Sequence, residues 1–168
     1  MNNTLKYIVL FFISVIVQVL LLNNIQLTTL GINPYFYILF LILLPFETPQ
    51  WLLIPLGFTL GLVVDIFSNS FGVHAFACVL LAGVRPFVLQ LLSSREGYDQ
   101  GTTPRVYYYG FGWFAKYSLI LTFLHHFAYY YMEFFRFTNF FRTFWIILFT
   151  TLFSFIIILV SQFIMYKK

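Results

Sequence analysis

Long apolar runs alternate with short polar or helix-breaking interruptions along this chain, at intervals that suit membrane spans. A spanning helix needs roughly 20 apolar residues. Residues 5–22 make the first such run, closed by Asn23 and Asn24. Lys6 precedes most of it and no small-residue cleavage site follows, which predicts an uncleaved anchor rather than a signal peptide. Residues 51–67 make another, where Thr48 reads as an N-cap and Pro49 as the first helical position. Residues 71–92, 113–135 and 143–166 complete five clear runs.

Residues 34–46 are the shorter case. Asn33-Pro34 reads as a cap-plus-proline start, and the apolar run ends before Glu47. About 13 residues at 1.5 Å each rise only ~20 Å, against a hydrocarbon core of roughly 30 Å. The run crosses if the bilayer thins locally or if residues 25–32 extend it. The pattern therefore predicts one all-α membrane domain over residues 1–168, a bundle of six transmembrane helices, or five if this run stays short.

Composition agrees with this picture. Of 168 residues, 61% are hydrophobic and only 8% are charged, against about 25% charged in soluble domains. Soluble, disordered and nucleic-acid-binding classes are excluded, and the net charge of +4 suits loops beside anionic headgroups. Cys78 is the single cysteine, so no internal disulfide or cysteine metal site can form. With six spans and the N-terminus inside, Lys6, Arg95, Arg105, Lys167 and Lys168 fall on the inner side and Arg136 and Arg142 on the outer. That majority places both termini in the cytoplasm. Trp51, Tyr107 to Tyr109, Trp113, Tyr129 to Tyr131 and Tyr166 sit where interfacial aromatic belts belong.

Candidate chemistry is sparse. Gly57, Gly61 and Asp65 recur every fourth residue and share one helix stripe, where small residues admit another backbone and a carboxylate faces protein. The competing reading is ordinary helix packing with Asp65 at the water interface. His74 comes about as far beyond the Ser68-Asn69-Ser70 turn as Asp65 comes before it, so the two could form a pH-sensitive pair, although a solvated histidine at a helix start is the favoured reading. Arg85 lies inside an apolar run and needs a partner or must snorkel; Glu47 is its nearest acid by expected depth. Ser118, Thr122, His126 and Tyr130 make a polar band, with His125, Tyr129 and Glu133 beside it. The adjacent histidines point about 100° apart, which favours interhelical hydrogen bonds over chelation of one metal. No nucleophile elbow, phosphate loop or metalloprotease motif occurs, and Glu96 and Asp99 are the one close pair of acids. No catalytic residue, cofactor or metal is expected.

In the order of its features, residues 33–92 resemble the rod shape-determining protein MreD family. Asn33-Pro34 opens a short aromatic-rich apolar segment that Leu44-Pro45 closes; Gly57, Gly61-Leu62 and Asp65 follow, then Phe71-Gly72-Val73, Ala75 and Arg85. The first run and everything beyond Leu92 agree only in hydropathy and length. The resemblance implies a non-enzymatic component of the cell-elongation complex in the bacterial inner membrane. It would bind MreC, and through it couple MreB filaments to the peptidoglycan synthases RodA and penicillin-binding protein 2. It also implies a fold similar to the six-helix substrate-binding subunits of vitamin transporters. On this reading the Gly57, Gly61, Asp65 stripe receives a partner's membrane helix, and residues 93–112 offer a cytoplasmic contact. The alternative function is a small-molecule-binding subunit of such a transporter, with Asp65, His74 and Glu133 as its polar rim. A reporter fused after Lys168 is expected to read as cytoplasmic; activity only of an outward-facing reporter would break the six-span topology.

Overall fold

The computed structural model describes residues 3–24, 32–95, 97–134 and 140–164. The expectations that fall on residues 25–31, Glu96, Arg136, Tyr166, Lys167 and Lys168 lie outside them. Among the described residues there are six α-helices and no strand: α1 (Asn3–Ile16), α2 (Leu39–Leu43), α3 (Gln50–Ser68), α4 (Val73–Leu92), α5 (Val106–Phe134) and α6 (Phe140–Ile164). A π-helical turn (Val17–Leu21) and a 3-10 turn (Leu22–Asn24) prolong α1.

Four of the helical stretches, Thr4–Asn24, Gln50–Ser68, Val73–Leu92 and Phe140–Ile164, are long and apolar enough to cross a membrane. At 29 residues α5 has ample length, but its tyrosines, histidines and Lys116 make it the most polar of the long helices. Gly110, at φ 77° and ψ 166°, breaks it after its first turn. Only glycine adopts that conformation without strain, so the short turn before it can tilt away from the long shaft.

Polarity is distributed inside out. Phe12, Phe58, Phe87, Leu152, Val160 and many other large apolar side chains are exposed, while Gln18, Asp65, Arg85, His125, Thr150, Ser154 and Gln162 are buried. On α6 the buried Thr143, Ile147, Thr150, Ser154 and Ile158 form one face, and that face lies against α5. A water-soluble fold with such an apolar surface would aggregate, whereas lipid accepts it and leaves the polar groups to pair within.

Neighbouring helices α3 and α4, α4 and α5, and α5 and α6 pack in sequence order. The turn joining the first pair places Asn69 at φ 52° and Gly72 at φ 82°. Gly61 sits where α3 and α4 approach most closely. A Cβ there would lie 2.4 Å from Ala75 Cα and 2.5 Å from His74 O, and one on Gly57 would lie 3.0 Å from Cys78 O. The glycine stripe is therefore filled by α4 of the same chain. This corrects the expectation that it receives a partner's helix.

The segment from Pro34 to Phe46 departs further from expectation. Residues 32–36 are not helical, and only Leu39–Leu43 forms a helix, about 7.5 Å long. Leu44 is extended, at φ −59° and ψ 149°, as the residue before Pro45 must be. Tyr37, Ile38, Leu39, Leu41, Ile42 and Leu43 are wholly buried. The segment starts beside Gln18 at the end of α1 and finishes beside Thr4, Tyr7 and Thr48, so it runs the length of the bundle inside it. An extended residue covers about 3.3 Å against 1.5 Å in a helix, so a partly unwound chain of this length reaches much farther than the helix expected. Thr48 also differs: its hydroxyl returns to Pro45 O at 2.8 Å rather than capping α3, and Pro49 takes the cap position.

Gly61→Ala is expected to destabilise the protein by about 1–3 kcal/mol through overpacking, and more than Gly57→Ala, in thermal unfolding in detergent. Equal melting of both variants and the parent would mean that α3 and α4 do not meet as described.

Candidate functional site

Two buried polar clusters hold the central segment, one at each end of the bundle. At the first end Asp65 is 2% exposed. Its Oδ1 accepts hydrogen bonds from Ser70 Oγ (2.6 Å) and His74 N (3.1 Å), and its Oδ2 from Ala75 N (2.9 Å). Gly72, the N-cap of α4, has no side chain to satisfy the free amides of the first turn. Asp65 supplies the acceptor from the preceding helix and places negative charge at the positive end of the α4 dipole. Neither reading of His74 holds: it is buried rather than solvated at the helix start, and Asp65 bonds Ser70 and the backbone while the His74 ring turns to Tyr37.

His74 Nδ1 lies 2.7 Å from the Tyr37 hydroxyl, and His125 Nε2 lies 2.8 Å from the same oxygen. One hydroxyl hydrogen serves one imidazole, so the other imidazole must donate. His125 Nδ1 is buried without a partner. Carrying the His125 proton on Nε2 leaves only a lone pair there instead of an unsatisfied N–H, which favours His125 Nε2–H to Tyr37 and Tyr37 O–H to His74. Cys78 Sγ is 4.0 Å from His125 Nε2. That pairing resembles a thiol nucleophile beside its base, but Cys78 is completely buried and has no surface to offer a substrate.

Next to this cluster the tautomer of His126 follows from its partners. Its Nδ1 faces the carbonyl of Thr122, which can only accept, so Nδ1 carries the proton. Nε2 then accepts from Ser154 Oγ at 3.0 Å, and Ser154 Oγ accepts from Tyr35 N at 2.8 Å. His125 thus meets the central segment directly at the Tyr37 hydroxyl, and His126 through Ser154 of α6 at the Tyr35 amide. Glu133 is exposed and bonded to Tyr129, whose ring centroid lies 4.6 Å from that of the buried His74.

Gln18 completes the cluster. From its π turn, where an extra residue per turn shifts the side-chain register, Oε1 accepts from Phe36 N (2.7 Å), while Nε2 donates to Pro34 O (3.2 Å) and Asn23 Oδ1 (2.9 Å). One carboxamide thus replaces the backbone partners that the non-helical residues lack.

Arg85 holds the opposite end and is 1% exposed. Its Nη2 donates to Leu44 O and to Pro45 O (3.3 Å), and its Nε donates to Tyr117 Oη (2.9 Å). Tyr117 donates onward to Ile42 O at 3.0 Å. Arginine and tyrosine together cap the carbonyl end of α2, where a cation is also favoured by the dipole. Glu47 is not the partner of Arg85; its Oε1 accepts from Gly101 N at 2.9 Å. The expected clamp is replaced by a cation whose partners are all neutral. Below it, Tyr98 stacks on Phe46 at 4.1 Å and donates to Leu89 O at 2.7 Å, so the loop after α4 folds back under the bundle.

Of the expected residues, Pro34, Asp65, Gly72 and His74 gather at the first end with His125 and His126, and Pro45 and Arg85 meet at the second. Gln18, Tyr35, Tyr37, Tyr117 and Ser154 were missed. Gln18 carried a usable signal, as a lone amide in an apolar run. Among the described residues no group of three or more histidine, cysteine or acidic side chains is arranged for a metal ion. No protein-family model matches the chain, and no curated protein or solved structure matches it either.

Asp65→Ala is expected to cost roughly 1.5–3 kcal/mol by stranding the α4 amides, and Tyr37→Phe about 1–3 kcal/mol by stranding imidazole nitrogens, both read by thermal unfolding in detergent. Asp65→Ala melting with the parent would contradict the capping role.

Proposed function

We propose that this chain is a non-catalytic, six-crossing subunit of the bacterial rod-shape complex, of the MreD kind. It lies in the inner membrane with both termini in the cytoplasm. It works by binding the membrane span of MreC and so helps couple MreB filaments to RodA and penicillin-binding protein 2. In this topology the central segment supplies the second crossing as an unwound chain screened from lipid.

The arrangement of the resemblance-bearing residues supports this reading. Pro34 and Pro45 bound the threaded segment, Arg85 caps its far end, Gly57 and Gly61 seat α4, and Asp65 caps that helix after the Gly72 turn. These positions form one connected device, as expected if they mark a common fold rather than separate coincidences.

The observation that carries the partner-binding role is an almost wholly apolar groove of about 540 Å³ between α1 and α3. Ile8, Phe11 and Phe12 form one wall, Leu52 and Leu56 the other, and Phe40 and Leu44 the floor. With the glycine stripe occupied by α4, this groove is the seat proposed for the partner's helix. Association of helices in lipid depends on packing surface, because leaving lipid for protein brings no hydrophobic gain. The transporter reading has less support, since Asp65 and His74, two of its three rim residues, are buried and bonded within the bundle.

In cells carrying Cys78→Ala, single cysteines at Ile8, Phe12 and Leu52 are expected to crosslink to MreC. Cysteines at Leu152 and Val160 on α6 are expected to crosslink much less. Equal capture from both sets, or none from the groove, would remove this mechanism.

A further inference from the structure

Arg85 carries a full positive charge at 1% exposure, yet its partners among the described residues are two carbonyls and a phenol. Neutral dipoles lower the cost of burying a cation but do not cancel its charge. Arg85 also lines a cavity of about 420 Å³ at its end of the bundle. Gln50, Gln90 and Ser93 contribute polar groups to that cavity, Phe46, Pro86 and Leu89 contribute apolar walls, and no acid lines it. Glu47, the nearby carboxylate, is committed to Gly101 N.

We propose that this cavity binds a phosphate group, with Arg85 as its charge partner and Gln50 and Gln90 as neutral hydrogen-bond donors. A guanidinium fork matches phosphate oxygens, and a polar pocket with apolar walls beside a lipid-facing surface suits a glycerophospholipid headgroup with its first carbons. Arg105, at the start of α5, adds positive charge at the same end. A free phosphate shares the chemistry and would use the same donors. The site does not depend on the rod-shape reading, because it rests on the buried charge and the cavity alone.

Native mass spectrometry of the full chain in detergent tests the site with phosphatidylglycerol, with and without millimolar inorganic phosphate. Arg85→Met should abolish retention of the lipid, but it also uncaps Leu44 and Pro45, so loss of lipid and loss of fold are not separated by this variant. The deciding variant is therefore Gln50→Leu with Gln90→Leu, which leaves those bonds intact. It is expected to melt with the parent and to retain phosphatidylglycerol about tenfold less. Lipid that inorganic phosphate fails to displace identifies a headgroup site, and displacement identifies a general phosphate site; both support the proposal. Equal retention by the parent and the double variant, or no uptake of either ligand, overturns it.

Discussion

A non-helical backbone inside a lipid-embedded bundle must send its amides and carbonyls to the side chains of other helices, and everything else in this molecule is arranged around that need. Water is not at hand at that depth, and each unpaired group costs several kcal/mol. The amides of Tyr35 and Phe36 go to Ser154 and Gln18, and the carbonyls of Ile42, Leu44 and Pro45 go to Tyr117 and Arg85. Side chains from the turn after α1 and from α4, α5 and α6 thus converge on one threaded segment. That convergence explains why a chain with 8% charged residues keeps an arginine buried.

Apolar packing alone could not specify this arrangement. Leaving lipid for a protein interior exchanges one hydrocarbon environment for another, so the water-transfer term that drives soluble folding contributes little here. Close fit and polar pairing remain. Gly61 against Ala75 provides the fit, and the Asp65 cap fixes how far α4 can slide along α3, since a shift of one residue would move the His74 and Ala75 amides away from the carboxylate.

A bundle tied together at its centre leaves little chemistry for its polar groups to perform on anything else. Tyr37, His74, His125 and His126 use their hydrogen bonds on one another and on the backbone, and Cys78 has no exposed surface. What faces outward is an apolar groove along α1 and α3 and a cavity with a buried cation. Both are concave surfaces of the bundle, one almost wholly apolar and the other lined in part by Arg85.

The amino-acid pattern by itself determined the all-helical class, the positions of the long apolar helices and the sharp turn between α3 and α4. These follow from run length, small-residue spacing and turn chemistry, which are local properties. It also made Arg85, Asp65 and the histidines conspicuous, because a polar residue in an apolar run requires a partner wherever the chain goes. The identities of the partners could not be read in the same way. Glu47 was the nearest acid to Arg85 by depth, yet carbonyls 40 and 41 positions away took the guanidinium. Asp65 took two amides rather than the His74 ring. Unwinding of the segment around Tyr35 likewise became possible only because Gln18 and Ser154, distant in sequence, were brought beside it. Tertiary structure decided these points because a backbone group accepts any donor that packing delivers, and residue spacing does not reveal which one arrives.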